Sequence, residues 1–62
     1  MAEDFDKLIK EMHRDLALRK KGSPAKAKKL AEKLRKMRMN EDANLLVQRA
    51  NDAQRFLPKD MW

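Results

Sequence analysis

Lys33–Val47 reads KLRKMRMNEDANLLV, and whether a helix breaks inside it decides the fold. The stretch lacks Gly and Pro, so one helix could run from Pro24 to Leu57, giving an elongated hairpin that would need a second copy to cover its apolar face. Against that, Asn40 followed by Glu41 and Asp42 has the form of a new helix start. Asn is a good N-cap, and acids in a first turn complement the positive end of the helix dipole. We read a break at Asn40, and therefore three helices.

On the N-terminal side of the break, Ala27, Leu30, Leu34 and Met37 recur at spacings of 3, 4 and 3, one face of a helix at ~3.6 residues per turn. Gly22-Ser23-Pro24 precedes them: Gly22 reads as the stop of an earlier helix, Ser23 as an N-cap and Pro24 as a first helical residue. That earlier helix places Phe5, Ile9, Met12 and Leu16 on one face, with Leu8 beside them, acids at Glu3, Asp4 and Asp6, and bases at Arg19, Lys20 and Lys21. Beyond the break, Ala43, Leu46, Ala50, Ala53 and Leu57 share a face, with Val47 alongside, until Pro58 ends the helix. The expected architecture is all-α, a small three-helix bundle forming one domain over 1–62. Its helices are expected at about 3–21, 24–39 and 41–57, with a tail at 58–62 and the last two helices open to a helix-turn-helix arrangement.

Sixteen Lys and Arg against ten Asp and Glu give a formal charge of +6. The excess is local: residues 22–39 carry seven bases and one acid, Glu32, whereas the flanking segments are nearly balanced. At ~100° per residue, Lys26, Lys29, Lys33 and Lys36 form a stripe on one flank of the middle helix, with Lys28, Arg35 and Arg38 toward the other. Cations spread over ~15 Å of helix can each neutralise a phosphate and release its counterion. The sequence therefore points to binding of DNA or a similar polyanion through Lys26, Lys29, Lys33, Arg35 and Lys36. The opposing expectation is a solvated stripe balanced by Asp4, Glu11 and Asp15 of the first helix and by the pairs Glu3/Lys7, Asp6/Lys10, Asp15/Arg19 and Glu32/Lys36.

Base reading would fall to the third helix, where Asn44, Gln48, Asn51 and Arg55 line one side at spacings of 4, 3 and 4. MRMNEDANLLVQRAN does not match repressor or homeodomain patterns. The Gly of the repressor turn is missing, the apolar spacing after the turn is off by one, and no Trp-Phe-x-Asn is present. Single-strand recognition lacks aromatic platforms, only Phe56 and Trp62 lying off the core face.

Leu45 and Phe56 also lie off the core face, as does Leu18. They suggest a second function class, a protein-interaction module anchored by Leu45, Arg49, Phe56 and Trp62. A homodimer belongs to the same class.

An enzyme is not expected. His13 is the sole histidine, cysteine is absent, Ser23 is the sole Ser or Thr and Gly22 the sole glycine. Neither a nucleophilic triad, a thiolate metal site nor a phosphate loop can be assembled, and no cofactor is expected. No apolar run reaches the ~20 residues of a membrane span, and MAEDFDKLIKEM is acidic where a leader would be basic. The expectation is a soluble, intracellular protein of the cytoplasm or nucleoid, without a membrane partner.

Overall fold

The computed structural model describes residues 5–62, so expectations resting on Glu3 and Asp4 lie outside the described residues. It is a three-helix bundle: α1 Phe5–Ala17, α2 Ser23–Lys36 and α3 Asn40–Gln54, followed by a single 3-10 turn, Lys59–Met61. No strand occurs among the described residues. The break in Lys33–Val47 is real, α2 and α3 being separated by Met37, Arg38 and Met39. The single helix from Pro24 to Leu57 does not form.

Five of the ten buried apolar residues are alanines: Ala27 and Ala31 on α2, and Ala43, Ala50 and Ala53 on α3. Small side chains let two helices approach closely, and α2 against α3 is the most extensive interface of the bundle. Leu34 and Leu46 are fully buried. α1 contributes the bulk instead, laying Ile9, Met12 and Leu16 over the α2–α3 pair, with Phe5, Leu30, Met39 and Val47 packed at the margins.

Helix ends depart from expectation in a consistent way. α1 stops at Ala17 rather than 21, because Arg19 adopts a left-handed conformation at φ 55°. Its N–H donates to the Leu16 carbonyl and that of Lys20 to the Asp15 carbonyl, both at 3.1 Å, closing a Schellman cap. α2 repeats the device at Lys36. Arg38 has φ 64°, its N–H donates to the Arg35 carbonyl at 3.0 Å, and Met39 N–H donates to the Leu34 carbonyl at 2.8 Å. Met37, expected in the core, becomes the C-cap and is 47% exposed. Beyond the last helical turn the backbone no longer carries the 3.6-residue period, so Met37 swings off the buried face.

Gly22 does not terminate α1. It sits at φ 77° immediately before α2 and occupies the N-cap position, which corrects the assignment of Ser23 as cap. Ser23 is instead the first helical residue, 2% exposed, and its hydroxyl has no hydrogen-bond partner. Two donors of this helix start are met by the tail, Gly22 N–H donating to the Met61 carbonyl at 2.7 Å and Ala25 N–H to the Trp62 carbonyl at 3.1 Å, while Ser23 N–H donates to the Lys20 carbonyl at 3.1 Å. α3 likewise begins one residue early, with Met39 rather than Asn40 at its N-cap, and ends at Gln54, leaving Leu57 half-buried beyond it.

Candidate nucleic-acid interface

α2 fixes the lysines by its own period. With Ala27, Ala31 and Leu34 turned inward, Lys26, Lys29, Lys33 and Lys36 fall on the exposed side, within an arc of ~80°. The decisive question is whether carboxylates consume them. Among the described residues the one ion pair is Lys20 Nζ to Asp15 Oδ1, at 3.5 Å. Asp15 is thus used within the α1 cap, where it lies beside Lys20, and Glu11 engages none of the four.

The expected pairs Asp6/Lys10, Asp15/Arg19 and Glu32/Lys36 do not form. For Asp15 the reason is visible: Arg19 has left the helix, and its guanidinium carbon sits 4.1 Å from the centre of the Phe56 ring. Glu3/Lys7 and the flank position of Asp4 lie outside the described residues.

Toward α3 the cations are treated differently. Arg35 Nη2 donates to Asn44 Oδ1 at 3.4 Å, on an exposed surface. Lys28 Nζ donates to Gln54 Oε1 at 3.2 Å in a partly buried position. These two bridges cross the α2–α3 seam at both ends, so Arg35 belongs geometrically with the α3 amide row rather than with the lysine stripe. No local sequence pattern signals the Lys28–Gln54 link, whose partners lie 26 positions apart.

Asn44, Gln48, Asn51 and Arg55 are all exposed on α3. Gln48, Asn51 and Arg55 share a shallow groove with Leu45, Arg49 and Asp52, formed by side chains of α3 and of Arg55 at its C-cap. The structure therefore presents two polar surfaces, the lysine stripe and the amide row, bridged at Arg35–Asn44.

The four residues grouped as apolar anchors separate. Leu45, Arg49 and Phe56 remain along one side of α3, with Phe56 59% exposed and stacked by Arg19. Trp62 folds elsewhere: its indole Nε1 donates to the Leu57 carbonyl at 3.0 Å while its own carbonyl caps α2. The tail is a clasp on the fold.

His13 is half-buried on α1, and its Nδ1 is buried without a partner. Burial lowers its pKa below the usual 6.5, and the positive charge of Arg49 lowers it further, against a smaller opposing effect of Asp42. Among the described residues no three His, Cys, Asp or Glu side chains gather where a metal could bind. No described helix is long and apolar enough to cross a membrane.

The fold and surface define a basic, alanine-rich three-helix bundle. Comparison with protein-family models, curated proteins and solved structures finds no match.

Proposed function

We propose that this bundle binds a polyanion, most simply the phosphate backbone of a nucleic acid, through Lys26, Lys29, Lys33 and Lys36, with Arg35 at the edge of the contact. The observation that supports the reading is that these four ammonium groups are exposed and meet no carboxylate among the described residues. The helix spaces these cations along one side, and with no carboxylate holding them they are available to phosphates, whose released counterions would supply the free energy.

Backbone contact alone carries no sequence information. Any base readout would fall to the row of Asn44, Gln48, Asn51 and Arg55, whose Asn44 is bridged to Arg35 of α2.

Titration of labelled duplex DNA at two salt concentrations tests the proposal, with Lys29→Glu/Lys33→Glu as the control. Binding that weakens steeply with salt and is lost in the double variant is the expected result. Equal binding by the variant removes the reading.

A further inference from the structure

A second surface lies between α1 and α3, lined by no residue of the lysine helix. Leu16, Ala17 and Ala53 lie at its base, Leu16 and Ala53 nearly covered, and Phe56 supplies its exposed apolar wall. Two features set this crevice apart from an ordinary gap between helices.

The first is that its aromatic wall is open yet held. Phe56 is 59% exposed, and the Arg19 guanidinium stacks on its ring at 4.1 Å. That stack depends on a left-handed backbone at Arg19, a conformation that favours glycine. An anchor already fixed in place loses less freedom when a partner arrives.

The second is charge. Arg19 and Arg49 both line the crevice, and neither meets a carboxylate within ion-pair distance among the described residues. Asp52 is the single acid of the lining and closes on neither.

Leu45, Arg49 and Asp52 continue the crevice along α3 at spacings of 4 and 3, about two helical turns, and Phe56 follows just beyond the helix end. A held, exposed aromatic wall and unpaired arginines above it match a short amphipathic segment with acids on one side. A phosphodiester chain would leave the exposed Phe56 wall unused.

We propose that the α1–α3 crevice docks an acidic amphipathic segment of a partner protein, its apolar side chains seated on Phe56 and its carboxylates on Arg19 and Arg49. This site is independent of the polyanion proposal. The bundle would then join an anion-binding helix to a protein-binding crevice on a different face.

Selection from a displayed library of random 12-residue peptides, followed by titration of the selected peptides into isotope-labelled protein, tests it. Recovered sequences should combine Asp or Glu with Leu, Phe or Trp, and should move the amide resonances of Ala17, Arg19, Arg49 and Phe56. Arg49→Glu and Phe56→Ser, both at exposed positions, should each weaken binding about tenfold or more while helicity stays unchanged. Selection without acidic enrichment, or peptide shifts confined to α2, would overturn the proposal. So would displacement of the peptide from the crevice by a 12-base-pair duplex, or sedimentation as a dimer through Phe56.

Discussion

The backbone carbonyl of Trp62 accepts a hydrogen bond from the N–H of Ala25 at 3.1 Å, and so the last residue of the chain satisfies the first turn of its second helix. Met61 does the same for Gly22 at 2.7 Å. Helix starts leave backbone donors open, and a side-chain cap usually closes one of them. Here the side chain suited to that task, Ser23, is buried inside the helix and the tail takes its place.

Deleting residues 59–62 removes both hydrogen bonds together with the indole contact to Leu57. Each such bond contributes about 0.5 to 1.5 kcal/mol, so the loss should be about 2 kcal/mol. In a bundle of this size that lowers the melting temperature by roughly 10 °C. Thermal unfolding followed by circular dichroism checks it; an unchanged midpoint would show that the tail does not hold α2.

The two left-handed arginines separate backbone strain from side-chain use. Arg38→Gly should stabilise the fold by about 0.5 to 1 kcal/mol, because glycine relieves the strain at φ 64° and its greater freedom in the unfolded chain offsets only part of that gain. Arg19→Gly relieves the same strain but loses the stack on Phe56, worth about 0.5 to 1 kcal/mol. Its net effect should be near zero. Urea denaturation of the two variants side by side measures the difference, and an equal gain in both would mean that the stack contributes nothing.

His13 makes stability depend on pH. Its folded pKa lies below 6.5, so the unfolded chain takes up the proton first as pH falls. Unfolding then binds protons, and stability rises with pH across this window. The contribution is fully present above the ordinary histidine pKa and is lost on acidification through the folded value. His13→Gln should flatten the profile between about pH 5 and 7. A wild-type profile already flat there would exclude the effect.

Phosphate contact and base contact predict different responses. With four lysines engaged, the slope of log affinity against log salt on a duplex should be about −3.6, and Lys29→Glu/Lys33→Glu should cut it to about −2 or abolish binding. Asn51→Ala should leave the slope unchanged. If the amide row reads bases, that substitution costs about 1 to 3 kcal/mol on a preferred sequence and nothing on others. Binding curves on two unrelated duplexes distinguish the cases.

Core positions were legible because they repeat locally. Ile9, Met12 and Leu16 follow the helical period, as do Ala27 and Leu34 and then Ala43, Leu46, Ala50 and Ala53; all of them are buried. Asn40-Glu41-Asp42 marked the start of α3 within one residue, while α2 ends three residues before the expected position, at Lys36. Helix ends were less legible, since glycine is the usual sign of a left-handed cap and arginine fills that position twice. The single glycine drew the reading of α1 onward to 21, while the chain spends Gly22 on the entry to α2.

For the candidate surface, the lysine stripe could be read from spacing, because exposure on a helix follows from which residues turn inward. Its partners could not. Asp15 lies on the flank expected to face α2, yet it pairs with Lys20 across the Schellman turn. Likewise Phe56 and Trp62 looked like one pair of anchors, yet one is stacked by Arg19 and the other bound to Leu57 and Ala25.

By itself the sequence determined the number of helices, the faces they bury and the concentration of positive charge on α2. Each of these follows from neighbours within about two turns, where the helical period converts order along the chain into position in space. Tertiary structure alone decided which side chains bridge one helix to another and how the tail closes α2. Those outcomes depend on residues such as Ala25 and Trp62 that meet only once the bundle has folded.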